Sequence, residues 1–206
     1  MNRRKILLFC MSMLAFCMHS MPVKADTYGG WEFLEISHDF NKKVWSAFYF
    51  EHDNLEYQTF DAFYTRLTVG YKFTKWLKND VAWDWLKERG THCHRFIYDL
   101  TGTLKEGNLI ASVRERYQLT HIPSSNTNNS ALRSRLKIQY AIPKSRVKPY
   151  LAVEVFTWDK WEKTRHYVGT TVKCNEWMEF EGYYLYYVYA HKPAQHLLGL
   201  GINLEL

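Results

Sequence analysis

Nowhere after residue 25 does the chain hold anything near 18 consecutive apolar residues. A transmembrane helix needs about 20, so none is available there. Long helical periodicity is missing too, which leaves strands as the regular structure. Cysteine is scarce. Of four in the chain, only Cys93 and Cys174 lie beyond residue 25, without the paired spacing that zinc sites use.

A large charge imbalance is also lacking once the amino terminus is read for what it encodes. Asn2-Arg3-Arg4-Lys5 is a basic start, Ile6 to Met18 a short apolar stretch, and Val23-Lys24-Ala25 sets small residues where a signal peptidase reads. The pattern predicts a signal peptide over residues 1–25, cut after Ala25, and a single domain over 26–206. Apolar character ends by His19-Ser20, which argues against an anchor helix. Phe16 before Cys17 is too bulky for a lipoprotein signal. Removing Arg3, Arg4, Lys5 and Lys24 from the 27 bases leaves 23 against 21 acids. The basic pI therefore implies no nucleic-acid partner.

What is present is alternation. At the carboxyl end Leu198, Leu200, Ile202, Leu204 and Leu206 share one face of an extended strand, opposite Gly199, Gly201, Asn203 and Glu205. An exported chain with such an ending predicts the closing strand of an antiparallel up-and-down outer-membrane β-barrel. It also predicts docking of the barrel-assembly machinery on that strand. Strand candidates fall at 28–38, 43–53, 61–73, 79–88, 92–104, 108–121, 131–142, 147–158, 164–174, 177–190 and 196–206. Links between them tend to alternate short and long, although Arg89-Gly90-Thr91 breaks the rule. Single-chain bacterial barrels have even strand numbers. These eleven segments therefore predict about ten strands with 28–38 as a plug or extra edge, or twelve with one unseen.

Segment 131–142 alternates most cleanly. Leu132, Leu136 and Ile138 share a face against Arg133, Arg135 and Lys137. Periodicity leaves open which face points outward, because a soluble lipocalin-like barrel has the same period. Three features favour lipid outside. The polar face is rich in Arg, Lys and Glu. Aromatics cluster near predicted strand ends (Tyr71, Phe73, Trp76; Trp158, Trp161; Trp177) as interfacial girdles do. The segments are also long enough to cross a bilayer at a tilt. The predicted lipid-facing set is Leu132, Leu136, Ile138, Leu198, Leu200, Ile202 and Leu204. Glu115 is the misfit, a carboxylate on the apolar face.

The runs Leu132 to Tyr140, Lys148-Pro149-Tyr150-Leu151-Ala152-Val153-Glu154-Val155-Phe156, Arg165-His166-Tyr167-Val168-Gly169 and Leu198-Gly199-Leu200-Gly201, with Glu51 and Arg114-Glu115-Arg116-Tyr117, resemble a family of uncharacterised small Gram-negative outer-membrane barrels. Such barrels commonly end in Phe or Tyr, whereas this chain ends in Leu206. The resemblance implies a membrane barrel and carries no activity.

The predicted lumen set is Glu51, Arg66, Asp84, Asp99, Arg114, Arg116, Arg133, Arg135, Lys137, Glu154, Glu179 and Glu181. Bases dominate 108–121 and 131–142, and acids sit on the neighbouring segments. Cross-strand neighbours stand about 4.5–5.5 Å apart, so these charges can pair. One reading is a charged, largely closed interior that locks the barrel. The other is a narrow anion-preferring path along the arginines. A lipid-modifying enzyme would use rim histidines, with His52, His121 and His166 as candidates, but the chain has no His-x-Ser pair. A soluble secreted barrel would hold an apolar ligand. His92-Cys93-His94 splits across two faces and predicts no metal site. No cofactor is expected, the cysteines are expected to be free, and the barrel is expected to be monomeric in lipid.

Overall fold

The structure is a computed structural model and describes residues 25–54, 62–88, 90–157, 161–191 and 193–206. The expected signal peptide, Trp158 and most of the link after Asp53 lie outside these residues. Eleven strands follow one another: β1 (Ala25–Asp39), β2 (Val44–Asn54), β3 (Ala62–Lys72), β4 (Leu77–Glu88), β5 (Thr91–Glu106) and β6 (Leu109–Ile122). Then come β7 (Thr127–Tyr140), β8 (Val147–Thr157), β9 (Trp161–Lys173), β10 (Met178–Tyr189) and β11 (Ala194–Glu205). Consecutive strands pair antiparallel, and the ring closes where β1 lies parallel to β11.

The expected count of ten or twelve is therefore corrected to eleven. Segment 28–38 is neither plug nor spare edge. It forms the body of β1, with Tyr28 opposite His196 and Ser37 opposite Glu205 on one side, and Gly30 opposite Asn54 on the other. An up-and-down ring reverses direction at each strand, so an odd count leaves one seam whose strands run the same way. Expecting evenness assumed antiparallel closure throughout. A parallel ladder bonds only slightly less well per residue. Side chain and terminus reinforce the seam: Ser37 Oγ donates to the Leu204 carbonyl at 3.3 Å, and the Leu206 amide to the Ser37 carbonyl at 2.9 Å.

The rim beside the end of β11 carries the links 40–43, 73–76, 107–108, 141–146 and 174–177. We call it the C-terminal rim. Gly107-Asn108 is a two-residue hairpin with Gly107 at φ +58°, a conformation that suits glycine. At the opposite rim, links 123–126 and 190–193 are four residues each. The expected contrast between short and long links is weak among the described residues.

The period-two pattern sorts the faces. Leu136, Leu198 and Leu200 stand exposed on the outer surface, Leu200 at 66 %. Leu132 joins them, while Ile138, Ile202 and Leu204 lie half-buried among outer neighbours. The inner face is not uniformly polar. On the β8–β11 side and β1, Trp31, Tyr150, Tyr167, Leu185, Tyr187 and Leu197 form an apolar cluster. Four inward glycines seat rings from adjacent strands. Phe33 covers Gly201, Tyr183 covers Gly199, Tyr150 covers Gly169 and Trp45 covers Gly70. A Cβ at Gly199 would fall inside the Tyr183 ring.

Gly199→Ala should therefore destabilise the barrel by about 1–3 kcal/mol, the usual cost of overpacking. Gly102→Ala, where a Cβ meets nothing within 4 Å, should be neutral by comparison. Urea midpoints read from heat-modifiable gel migration check this. Equal midpoints for the two variants would mean the ring does not need its glycine seat.

Candidate functional site

The inward faces enclose a cavity of about 1050 Å³. Its lining follows β2 from Trp45 to Asp53 and β6 from Ser112 to Ile122, nearly the full length of both strands. The lining sets charged side chains beside the rings of Trp31, Tyr150, Tyr167 and Tyr187.

Three carboxylates organise the charge. Asp84 is fully buried and takes a two-pronged bond from Arg66 across the β3–β4 pair, Nε at 2.6 Å and Nη2 at 2.9 Å. Arg95 reaches it from β5 at 3.4 Å. Asp99 on β5 is gripped the same way by Arg116 on β6, at 2.7 and 2.6 Å. Glu154, 1 % exposed on β8, is the hub. Arg133 Nη2 donates to both of its oxygens at 3.0 Å, Arg114 Nη2 to one at 2.7 Å, and Arg165 Nη1 to the other at 3.4 Å. The Tyr167 hydroxyl adds a bond at 3.3 Å. Charge-assisted two-pronged bonds are the strong kind, and they let these ions tolerate removal from bulk water.

Arg165 is also boxed by rings, its guanidinium 4.8 Å from the Trp31 ring centre, 4.6 Å from Phe156 and 4.7 Å from Tyr187. Lys137 sits 3.9 Å over Tyr150 and 3.7 Å from Glu181. Arg135 stands between Arg114 and Glu154 in register. It forms no ion pair among the described residues and rests over Tyr167 at 5.2 Å. Glu51 accepts the Tyr49 hydroxyl.

Of the twelve residues expected in the lumen, ten line the main cavity. Asp84 sits behind its arginines. Glu179, on the same face of β10 as Glu181, pairs with Lys148 at 2.7 Å and lines a second pocket of about 210 Å³ at the C-terminal rim. Sequence reasoning missed Arg95, Lys163, Arg165, Asp53 and Asp80. The signal was present, since Lys163, Arg165 and Tyr167 alternate with Thr164 and His166 as an inner face requires.

His52, His121 and His166 all face outward but on β2, β6 and β9, at least three strands apart around the ring. An enzyme at this rim would need a Ser or Thr within hydrogen-bond reach of one of them. His52 instead meets Glu32 at 3.1 Å and His121 meets Asn128 Oδ1 at 2.9 Å, while His166 neighbours Tyr186. A further outward histidine at this rim, His196, is bonded to the Tyr184 hydroxyl. Cys93 is buried on the inner face near the opposite rim, Cys174 sits at the C-terminal rim, and both are free. Glu115 faces outward and accepts Ser134 Oγ at 2.6 Å, which supplies this carboxylate with a local donor.

A family model described as protein of unknown function (DUF2490) matches residues 28–196. No curated protein matches the chain. Among solved structures, the NanC porin in a rhombohedral crystal form is similar at a TM-score of 0.59 and 11 % identity, over 86 % of this chain and 98 % of that one. The KdgM porin is similar at 0.53 and 13 %, over 84 % and 89 %. At these identities the likeness is one of fold.

Replacing Glu154 with Gln leaves three arginines around a neutral side chain. The barrel should lose about 3–5 kcal/mol, the usual cost of stripping one partner from a buried ion cluster. Guanidinium unfolding followed by tryptophan fluorescence measures it, and a loss below about 1 kcal/mol would mean that solvent already neutralises these arginines.

Proposed function

The chain belongs to the DUF2490 family of proteins of unknown function, and from that premise we propose that it is an outer-membrane channel for small polar solutes. The observation that carries the proposal is the charged cavity lined along nearly the whole height of the wall. Export sequence, apolar outer surface and porin-like fold support the location. In lipid, closure of the ring satisfies every backbone donor and acceptor without water. The exposed leucines, valines and aromatics then meet acyl chains and headgroups, and the arginines keep to a wet bore.

The bore is narrow because the ion clusters and the Tyr-Trp strip occupy much of it. Among the described residues, the links at the opposite rim are short and offer little material for a loop-built binding site. Selectivity then resides in the wall itself. The signal peptide is cut after Ala25, the barrel-assembly machinery engages β11, and the barrel works as a monomer.

Purified protein in planar bilayers should give discrete conductance steps in potassium chloride. The same preparation, from the outer-membrane fraction, should run faster unheated than boiled. A heat-modifiable barrel without conductance would instead be a plugged scaffold. Recovery in the periplasm without detergent would overturn the location.

A further inference from the structure

The lining charges are nearly balanced in number but separated in space. Among the described residues, six of the eight lining carboxylates stand on β1 to β5, and seven of the ten lining bases on β6 to β9. These strand sets are two facing arcs of one ring. Low-dielectric walls with opposite charge on facing sides set up a field across the bore rather than along it.

Near the opposite rim the separation is sharpest. Glu51, Asp53 and Glu88 come from the acidic arc, Lys163 and Arg165 from the basic one, and all five line the cavity. Asp53 is 7 % exposed, and its Oδ1 is buried without a hydrogen-bond partner. Lys163 forms no ion pair among the described residues. Its ammonium rests over Phe156 at 4.7 Å, Tyr187 at 5.6 Å and Tyr189 at 5.8 Å. Among the described residues no ion pair joins these acids to Lys163 or Arg165, and Arg165 reaches Glu154 instead at 3.4 Å. The acids on β2 and β4 and the bases on β9 line the same cavity from opposite arcs of the ring. Arg95, the remaining cation of the acidic arc at this level, is committed to Asp84 and Thr120.

Resting on the channel reading, we infer that this slot binds zwitterionic solutes, with the cationic end toward Glu51, Asp53 and Glu88 and the anionic end toward Lys163 and Arg165. A lone anion gains from one arc and is repelled by the other, and a lone cation fares likewise. A solute carrying both charges gains at both ends, and recovers there part of the hydration it sheds on entry. An uncharged solute of the same size gains neither.

Glycine and glycolamide, isomers of which only glycine is a zwitterion, make the test. In proteoliposomes under isosmotic conditions, glycine should drive swelling about threefold faster or more than glycolamide. Lys163→Glu puts acid on both sides and should bring the ratio to about one. Lys163→Gln should lower it part of the way, and heat-modifiable migration confirms that each variant is folded. A wild-type ratio of one with potassium chloride conductance intact would overturn the zwitterion slot alone. Absence of conductance would overturn the channel reading first. A ratio unmoved by Lys163→Glu would show that the slot is not the selective element.

Discussion

Closure of the backbone ladder is the constraint on which the rest depends. A membrane-spanning sheet cannot leave an edge, because unpaired amides and carbonyls have no water to bond. With eleven strands, closure requires one parallel seam, and β1 against β11 supplies it. The seam is what makes the inner face a circumference rather than a sheet. Only then do Arg165 on β9 and Trp31 on β1 meet, strands far apart in the chain.

Inside the ring, packing and electrostatics divide the work. Glycines at 70, 169, 199 and 201 open seats for rings, and two of those rings, Tyr150 and Trp45, back Lys137 and Lys78. Glu154 then ties β6, β7 and β9 through three arginines, so the charged wall is cross-braced above its hydrogen-bonded ladder. Among the described residues the clusters leave Arg135 and Lys163 without an ion pair on one arc and Asp53 Oδ1 without a hydrogen bond on the other.

Much of this was legible in the order of residues. Alternation gave ten of eleven strands outright and the eleventh as a segment whose place was misjudged. It also separated Leu132, Leu136 and Leu200 from Arg133 and Arg135, because a period of two is all a barrel wall needs. The Asp99–Arg116 and Arg133–Glu154 pairs follow from neighbouring strands of opposite charge. Three things were hidden. The parallel seam depends on how the ends of the ring meet, which no local pattern encodes. The role of Gly199 and Gly201 depends on Tyr183 and Phe33, one of them across the seam. The transverse polarity emerges only when strands are placed on opposite sides of a bore.

The central claim is that leucines look outward into lipid while arginines look toward the axis. Single cysteines introduced by Leu200→Cys and Arg135→Cys, in a background lacking Cys93 and Cys174, can carry a fluorophore in reconstituted vesicles. Quenchers attached to acyl chains should dim the label at 200 and spare that at 135, with an aqueous quencher doing the reverse. The opposite pattern, lipid quenching at 135 and aqueous quenching at 200, would contradict the inside-out barrel and everything drawn from it.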